Sequence, residues 1–531
     1  MNLFEAICTR HDSSWPAIKF GEREITYGKL RAETLKVAQV IDSLRAARGN
    51  RIALLLHDSP EFIEAFIATC SLGAIAVPIN MALRPEEQCS ILHNSGATLA
   101  FIESDSCNTL LTHAPEKLRL LKNVVVVERR EPLPQIGERF VITDVRLRNP
   151  PVTLHDLEAL LDEAITTSPN FPQPGDDDPA FILYTSGSTG EPKGAVHRQA
   201  DIFYTNQTFC REVLRLTSED RLFSSSRLPF AYGLGNSFSF PLLNGATTIL
   251  CREKPSPDVI ARIFAEQRPT IFFGVPVIYN LLLEHHRSGK KLDCSSLRLC
   301  VSAGEALPAH LGEEWEREFG VQVLDGIGST EMLHMFISNH ENGVRYGSSG
   351  KLLKGYEARL LDEHGQPTAA GAEGNLWIKG ESAARFYWQN PEATAQTFVD
   401  GWVRTGDLYR RDADGYWFHM GRSDDCFKSS GQWVSPVEVE GVLLRHPGVA
   451  RVAVVEDFDS DQLPCACAFI VKQEVESESA PFEKELRALA AESLPRFKQP
   501  RKYVFVSELP YTATGKIQRF KLRQQLREAR A

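Results

Sequence analysis

No Cys-x-x-Cys pair occurs in the 531 residues, and the 11 cysteines are scattered and odd in number. A disulfide framework and a cysteine-based zinc site are both disfavoured. Cys465 and Cys467 form the one close pair, and in a strand their spacing sends both to the same face, so core packing is expected. Long apolar runs are also missing. The longest, around Cys70–Ile79, is broken by Gly73 and Pro78, well short of the roughly 18–20 residues that cross a bilayer, so no membrane span is expected. The opening MNLFEAICTRHD carries Glu5 and Arg10 where a secretory signal needs an apolar core, which predicts a cytoplasmic protein. Positive charge is not in excess: 59 Lys plus Arg stand against 69 Asp plus Glu, a net charge of −10. A general nucleic-acid binder, which needs a concentrated basic face, is disfavoured. Basic residues cluster only near the end, at Arg496, Lys498, Arg501 and Lys502 and at Arg519, Lys521 and Arg523, and are read as a solvated face.

What is present is enough apolar residue, 43% of the chain, for at least one large core, and a length that calls for two or more domains. Helical periodicity over Tyr27–Leu44 and Glu61–Leu72 alternates with short apolar runs at Arg51–Leu56, Leu99–Glu103, Val124–Val127 and Ala180–Tyr184. Such alternation predicts an α/β fold of layered subdomains with substantial parallel sheet. The character changes after Met420, where GRSDDCFKSSGQWVSPVEVE follows an aromatic strand expected at Tyr416–Phe418. The expected division is a large N-terminal domain, 1–423, and a small α+β C-terminal domain, 424–531. In the latter, helices are predicted at 436–445 and 482–493, and strands at 449–455, 465–471 and 502–506.

The chemistry begins at YTSGSTGEPKG, Tyr184–Gly194, directly after an apolar strand. Glycines let the backbone turn N–H groups toward an anion, hydroxyls add donors, and Lys193 adds positive charge. Thr185, Ser186, Gly187, Ser188, Thr189, Gly190 and Lys193 are thus candidates for gripping phosphate. The glycine spacing does not meet the G-x-x-x-x-G-K-[ST] pattern of a P-loop, so a P-loop kinase is disfavoured.

The segment instead resembles the phosphate loop of the acyl-adenylate-forming enzymes, the superfamily of acyl- and aryl-CoA ligases, firefly-type luciferases and peptide-synthetase adenylation domains. Further blocks match that superfamily in its own order: SAGEALP (Ser302–Pro308), DGIGSTE (Asp325–Glu331), WVRTGD (Trp402–Asp407) with Arg422, and PYTATGKIQRFKLR (Pro510–Arg523). The resemblance implies an adenine pocket built around Gly304, Glu305, Ala306, Asp325, Gly326, Ile327 and Gly328. It implies that Thr330 contacts the α-phosphate and Glu331 helps hold Mg2+, that Asp407 takes the ribose hydroxyls with Arg422 as its basic partner, and that Lys516 bridges the carboxylate and the α-phosphate. ATP binding, magnesium and coenzyme A follow as cofactor and substrate expectations. The C-terminal domain is expected to rotate between half-reactions about Asp424, swinging Lys428, Ser430 and Gly431 toward the pantetheine thiol. That expectation has a physical reason: the thiol needs the carbonyl that Lys516 has just covered.

For the acid, RLPFAYGLGNSFSFPLLNG (Arg227–Gly245) and MLHMFISN (Met332–Asn339) resemble the benzoate-CoA ligase branch. Phe230, Ala231 and Tyr232 supply an aromatic wall, Gly233 and Gly235 allow close backbone approach, His334 is expected to close the far side, and Gly328 and Met335 are further expected contacts of the acid. A small aromatic carboxylic acid is therefore the expected substrate, with benzoate and 2-aminobenzoate (anthranilate) both open. An adenylation enzyme that loads a free-standing carrier protein, and a short- or medium-chain acyl-CoA ligase, stay as alternatives, and a homodimer is compatible with the resemblance.

Overall fold

The computed structural model describes residues 2–46, 48–128, 152–164, 171–175, 177–186, 192–423, 425–429, 432–459, 463–473, 479–511 and 517–528. The chain divides into two compact units. The first comprises Met1–Tyr346, Gly350–Glu357 and Lys379–Val403, and the second comprises Gly347–Ser349, Ala358–Ile378 and Arg404–Ala531.

Two mainly parallel sheets build the first unit. One runs Thr153–Asp156, Asn123–Val127, Leu99–Glu103, Arg51–Leu55, Ile75–Pro78, Phe181–Ser186 and Pro192–His197 in spatial order, and only its last pair is antiparallel. The other has a parallel centre, Val323–Gly328, Leu299–Ser302, Ile271–Gly274, Arg221–Ser224, Thr247–Leu250 and Pro16–Phe20, with antiparallel strands at either edge. The strands read as unbroken apolar runs because helices cover both faces. The predicted helices form as Tyr27–Ser43 and Pro60–Ser71, the latter started by Ser59 accepting from the Phe62 amide at 3.4 Å with Pro60 in the first turn. Every residue of Pro60–Ser71 is buried. One core cluster joins Phe62 and Phe66 of that helix with Ile18 and Leu250 of one sheet and Ile52, Leu54 and Phe181 of the other. Each such side chain contributes about 1.5–3 kcal/mol by leaving water. The two sheets are thereby packed around a shared interior.

The second unit ends in a three-stranded sheet of Val449–Phe458, Pro464–Lys472 and Lys502–Phe505 with helices Pro436–Leu443, Ser479–Ser493 and Arg519–Glu528. The three strands and the first two helices are the elements expected there, the helix Arg519–Glu528 is an addition, and Cys465 and Cys467 are both buried. The aromatic strand differs: it is Trp417–Arg422, because a turn closed by Asp412 accepting from the Tyr416 amide at 2.8 Å, with Gly415 at φ 85°, keeps Tyr416 outside. The basic cluster is not simply a solvated face. Arg519 meets Glu440 at 2.8 Å, Arg523 meets Asp425 at 2.9 Å and Lys502 meets Asp457 at 2.6 Å, so acids of the same unit neutralise it. Among the described residues, no helix is long and apolar enough to cross a membrane.

Candidate active site

In open parallel sheets, ligands gather beyond the carboxyl ends of the strands. Here those ends carry the expected residues. The strand Leu299–Ser302 leads into Gly304, whose φ of 93° only glycine adopts readily, and then into exposed Glu305. Val323–Gly328 delivers Asp325, Gly326, Ile327 and Gly328. Burial pushes the Asp325 carboxyl well above the usual carboxylate range. Gly326 and Gly328 are there for contact with the neighbouring strand Met335–Ser338. A Cβ on Gly326 would lie 2.6 Å from the Ile337 carbonyl oxygen, and one on Gly328 2.5 Å from that of His334.

The phosphate segment is a β-hairpin whose flanks are Phe181–Ser186 and Pro192–His197, with Thr185 opposite Lys193 and Ser186 opposite Pro192. Gly187, Ser188, Thr189 and Gly190 lie outside the described residues, as do Asp424, Ser430, Gly431 and Lys516. The Lys193 ammonium is 5.6 Å from the centroid of the Tyr387 ring. Tyr387 donates its hydroxyl to Oε1 of Glu331 at 2.6 Å. A single segment, residues 381–388, thus ties the hairpin to the acidic turn. The Val196 carbonyl accepts from the Arg385 amide at 2.9 Å, the Glu331 carbonyl from Ala384 at 2.7 Å, and the Met332 carbonyl from the Ser382 hydroxyl at 2.9 Å. Among the described residues no group of three or more His, Cys, Asp or Glu could hold a metal alone. A lone, oriented carboxylate such as Glu331 suits magnesium, which is usually held by one or two carboxylates together with substrate phosphates.

Beside this turn lie the aromatic residues expected to line the acid. Phe230 precedes the helix Ala231–Leu234, which widens to π geometry over Gly235–Ser239. Gly233 is required, since a Cβ there would sit 2.0 Å from the Arg227 carbonyl oxygen. The loop is anchored from the other sheet by Asp58, whose Oδ1 accepts from the Leu228 amide at 3.1 Å and whose carboxyl is raised to about 6 by burial. Tyr232 and His334 come together with ring centroids 5.5 Å apart, and Phe240 and Phe209 flank His334 at 4.6 and 4.9 Å. Met335 is buried next to it. Burial lowers the His334 imidazole to about 3, so the ring is neutral at ordinary pH. Its Nε2 lies 3.1 Å from Asn236 Oδ1, whereas His334 Nδ1 and Asn236 Nδ2 are buried with no hydrogen-bond partner among the described residues.

In the second unit Asp407 and Arg422 face each other across antiparallel strands, the Arg422 Nη1 donating to Asp407 Oδ1 at 3.3 Å and to the Thr405 carbonyl at 3.0 Å. His419 stands 3.6 Å from the same carboxylate. Lys428 lies on the hairpin arm Phe427–Ser429 and meets Glu363 at 3.1 Å.

The family model described as AMP-binding enzyme matches residues 4–388, and that of the AMP-binding enzyme C-terminal domain matches 438–516, ending at Lys516. The chain belongs to the AMP-binding enzyme family. A benzoate–CoA ligase of Thauera aromatica is 40% identical over 503 residues, 94% of this chain and 90% of that protein. Among solved structures of the family, an anthranilate CoA ligase in complex with anthranoyl-AMP superposes with a TM-score of 0.89 at 35% identity, covering 100% of this chain and 98% of that one. A benzoate CoA ligase from Burkholderia xenovorans LB400 gives 0.86 at 36% identity, covering 98% of this chain and 100% of that one. This AMP-binding enzyme is an acyl-adenylate-forming, ATP-dependent acid–CoA ligase of the benzoate and anthranilate branch. Tyr387 and Asp58 are absent from the residues picked out by sequence. Neither sits in a phosphate- or nucleotide-like motif that would have drawn notice.

Proposed function

We propose that the acid activated is an unsubstituted or lightly substituted benzoate, and that the reaction proceeds as aryl-adenylate formation followed by thioester formation. In the first half-reaction a carboxylate oxygen attacks the α-phosphorus of ATP, an O–P bond forms, and pyrophosphate leaves. In the second the CoA thiolate attacks the carbonyl carbon and AMP leaves with the bonding electron pair. The observation that supports the aryl reading is the aromatic cluster in which Tyr232, Phe209 and Phe240 pack against His334, whose neutral imidazole adds no charge. The relatives' benzoate and anthranilate substrates support it.

Within this reading the phosphate hairpin, with Thr185, Ser186, Gly187, Ser188, Thr189, Gly190 and Lys193, holds the triphosphate. Thr330 meets the α-phosphate, and Glu331 would hold magnesium, whose charge offsets that of the phosphates. Asp407 and Arg422 are assigned to the ribose, and Lys516 to the two anions that must meet, a role of orientation and charge stabilisation. Residues 424–531 are proposed as the mobile domain, Asp424 as its hinge, and Lys428, Ser430 and Gly431 as contacts for CoA. Asp424→Pro should leave ATP–pyrophosphate exchange intact while depressing thioester formation; equal loss of both contradicts the hinge. A cytoplasmic setting is proposed from the need for ATP and CoA.

A second reading, 2-aminobenzoate, is favoured by the unpartnered Asn236 Nδ2 and His334 Nδ1, since buried polar atoms are normally satisfied and a ring substituent able to hydrogen-bond could serve them. AMP release measured with benzoate, 2-aminobenzoate, 3- and 4-hydroxybenzoate and octanoate tests the proposal. A benzoate, plain or amino-substituted, should lead; preference for octanoate defeats the aryl reading.

A further inference from the structure

The turn that carries Thr330 and Glu331 has a costly backbone. Leu333, bulky and buried, sits at φ 64° and ψ −33°, a conformation that L residues avoid and that persists only where the surroundings over-determine it. Part of the restraint is local: the Thr330 carbonyl accepts from the Leu333 amide at 3.2 Å, and the Met332 carbonyl from the His334 amide at 2.8 Å. The rest comes from far along the chain. His197 Nε2 lies 2.8 Å from the same Thr330 carbonyl oxygen, and because a carbonyl can only accept, Nε2 carries the hydrogen.

The imidazole of His197 is fully buried and stacks on Phe181 with centroids 5.3 Å apart. Its Nδ1 lies 3.0 Å from Oδ2 of Asp201, also fully buried. Asp201 is fixed in turn, accepting from the Arg198 amide at 3.0 Å and from Arg198 Nε at 2.9 Å. His197 is also the last residue of the strand that leaves the phosphate hairpin. A rigid connection therefore runs from the hairpin through an oriented imidazole to the backbone of the acidic turn.

We propose that His197, oriented by Asp201, is a positioning residue for adenylation: its Nε2–H fixes the Thr330 carbonyl and so keeps the Thr330 hydroxyl and Glu331 carboxylate in register with the hairpin. The inference rests on the roles assigned above to Thr330 and Glu331 but not on the identity of the acid. The test uses the full-length enzyme and whichever acid it turns over, so that a wrong substrate assignment changes the acid supplied and not the comparison. His197→Leu should lower kcat for ATP–pyrophosphate exchange roughly 10- to 100-fold, the size expected when a buried hydrogen bond to a reacting segment is lost. The KM for the acid, and the rate of thioester formation from supplied aryl-adenylate and CoA, should stay within about threefold. In His197→Gln the carboxamide nitrogen can stand where Nε2 stood, and recovery to within about fivefold of the unaltered rate is expected. In His197→Asn the shorter chain falls short of the Thr330 carbonyl, and the low rate should remain. A role in folding alone would lower exchange and thioester formation together, in proportion to the titre of competent sites. That result overturns the proposal, as does equal exchange in the Gln and Asn variants or an unchanged kcat in His197→Leu. If the leucine variant fails to fold, the Gln–Asn contrast decides.

Discussion

The acidic turn and the ring cluster are neighbours in sequence, Thr330 and Glu331 on one side of Leu333 and His334 on the other, yet they are held by different physics. The turn is fixed by directional hydrogen bonds from distant segments: Tyr387 to the Glu331 carboxylate, His197 to the Thr330 carbonyl, Ala384 to the Glu331 carbonyl and Ser382 to the Met332 carbonyl. The ring cluster is shaped mainly by packing, with His334 hydrogen-bonded to Asn236 and the Tyr232 hydroxyl donating to the Val301 carbonyl at 3.2 Å, and with two buried polar atoms left unpartnered among the described residues. Hydrogen bonds fix geometry to a fraction of an ångström, whereas apolar rings discriminate by volume. The difference teaches that the turn is held by direction and the ring cluster by shape.

That contrast can be broken most severely at its chemical end. Lys516→Ala should reduce ATP–pyrophosphate exchange by about 10²–10³-fold, the usual cost of removing a charge-stabilising group of the kind proposed for it. Thioester formation from supplied aryl-adenylate should persist. A smaller effect is expected from Tyr387→Phe, which leaves Glu331 Oε1 without its phenol donor. Exchange at saturating acid should fall about tenfold, the worth of one charge-assisted hydrogen bond, with a raised requirement for Mg2+. At the ring-cluster end, Gly235→Ala places a Cβ 2.5 Å from His334 Cδ2. The KM for the acid should rise about three- to tenfold, in line with overpacking of one methyl group, while the KM for ATP stays put.

The smallest effect is electrostatic. His334 is lowered to about 3 in the fold against an ordinary 6.5. Below pH 6.5 the unfolded chain binds the extra proton, so the contribution is complete above that value and is lost progressively as pH falls toward 3. Relative to His334→Gln, the unaltered protein should lose about 0.7 kcal/mol of stability between pH 7 and pH 6. Denaturant titrations of the two proteins at both pH values would measure it, and parallel pH profiles would contradict the buried neutral imidazole.

Much of the fold was legible because its signals are local. The helical periodicity of Tyr27–Leu44 and Glu61–Leu72 and the apolar strand runs each act within a few residues, and the phosphate segment around Lys193 and the Asp407–Arg422 pair came from motifs. The clamp was not legible. Tyr387 reaches Glu331 across 56 residues, His197 reaches Thr330 across 133, and Asp58 reaches Leu228 across 170, and no periodicity or spacing encodes contacts that only the assembled sheets create. The pairing of Arg519 and Arg523 with Glu440 and Asp425 was hidden for the same reason: charge composition does not reveal which acid a folded surface brings near.

The proposal that this hydrogen-bonded adenylating turn serves a small aromatic acid meets its most direct test in the adenylate itself. The enzyme would be incubated with ATP, Mg2+ and an equimolar mixture of benzoate, 2-aminobenzoate and octanoate, without CoA, and the bound acyl-adenylate identified by mass. A benzoyl- or aminobenzoyl-adenylate is the predicted species; an octanoyl-adenylate in excess, or ADP formed in place of an adenylate, would contradict it.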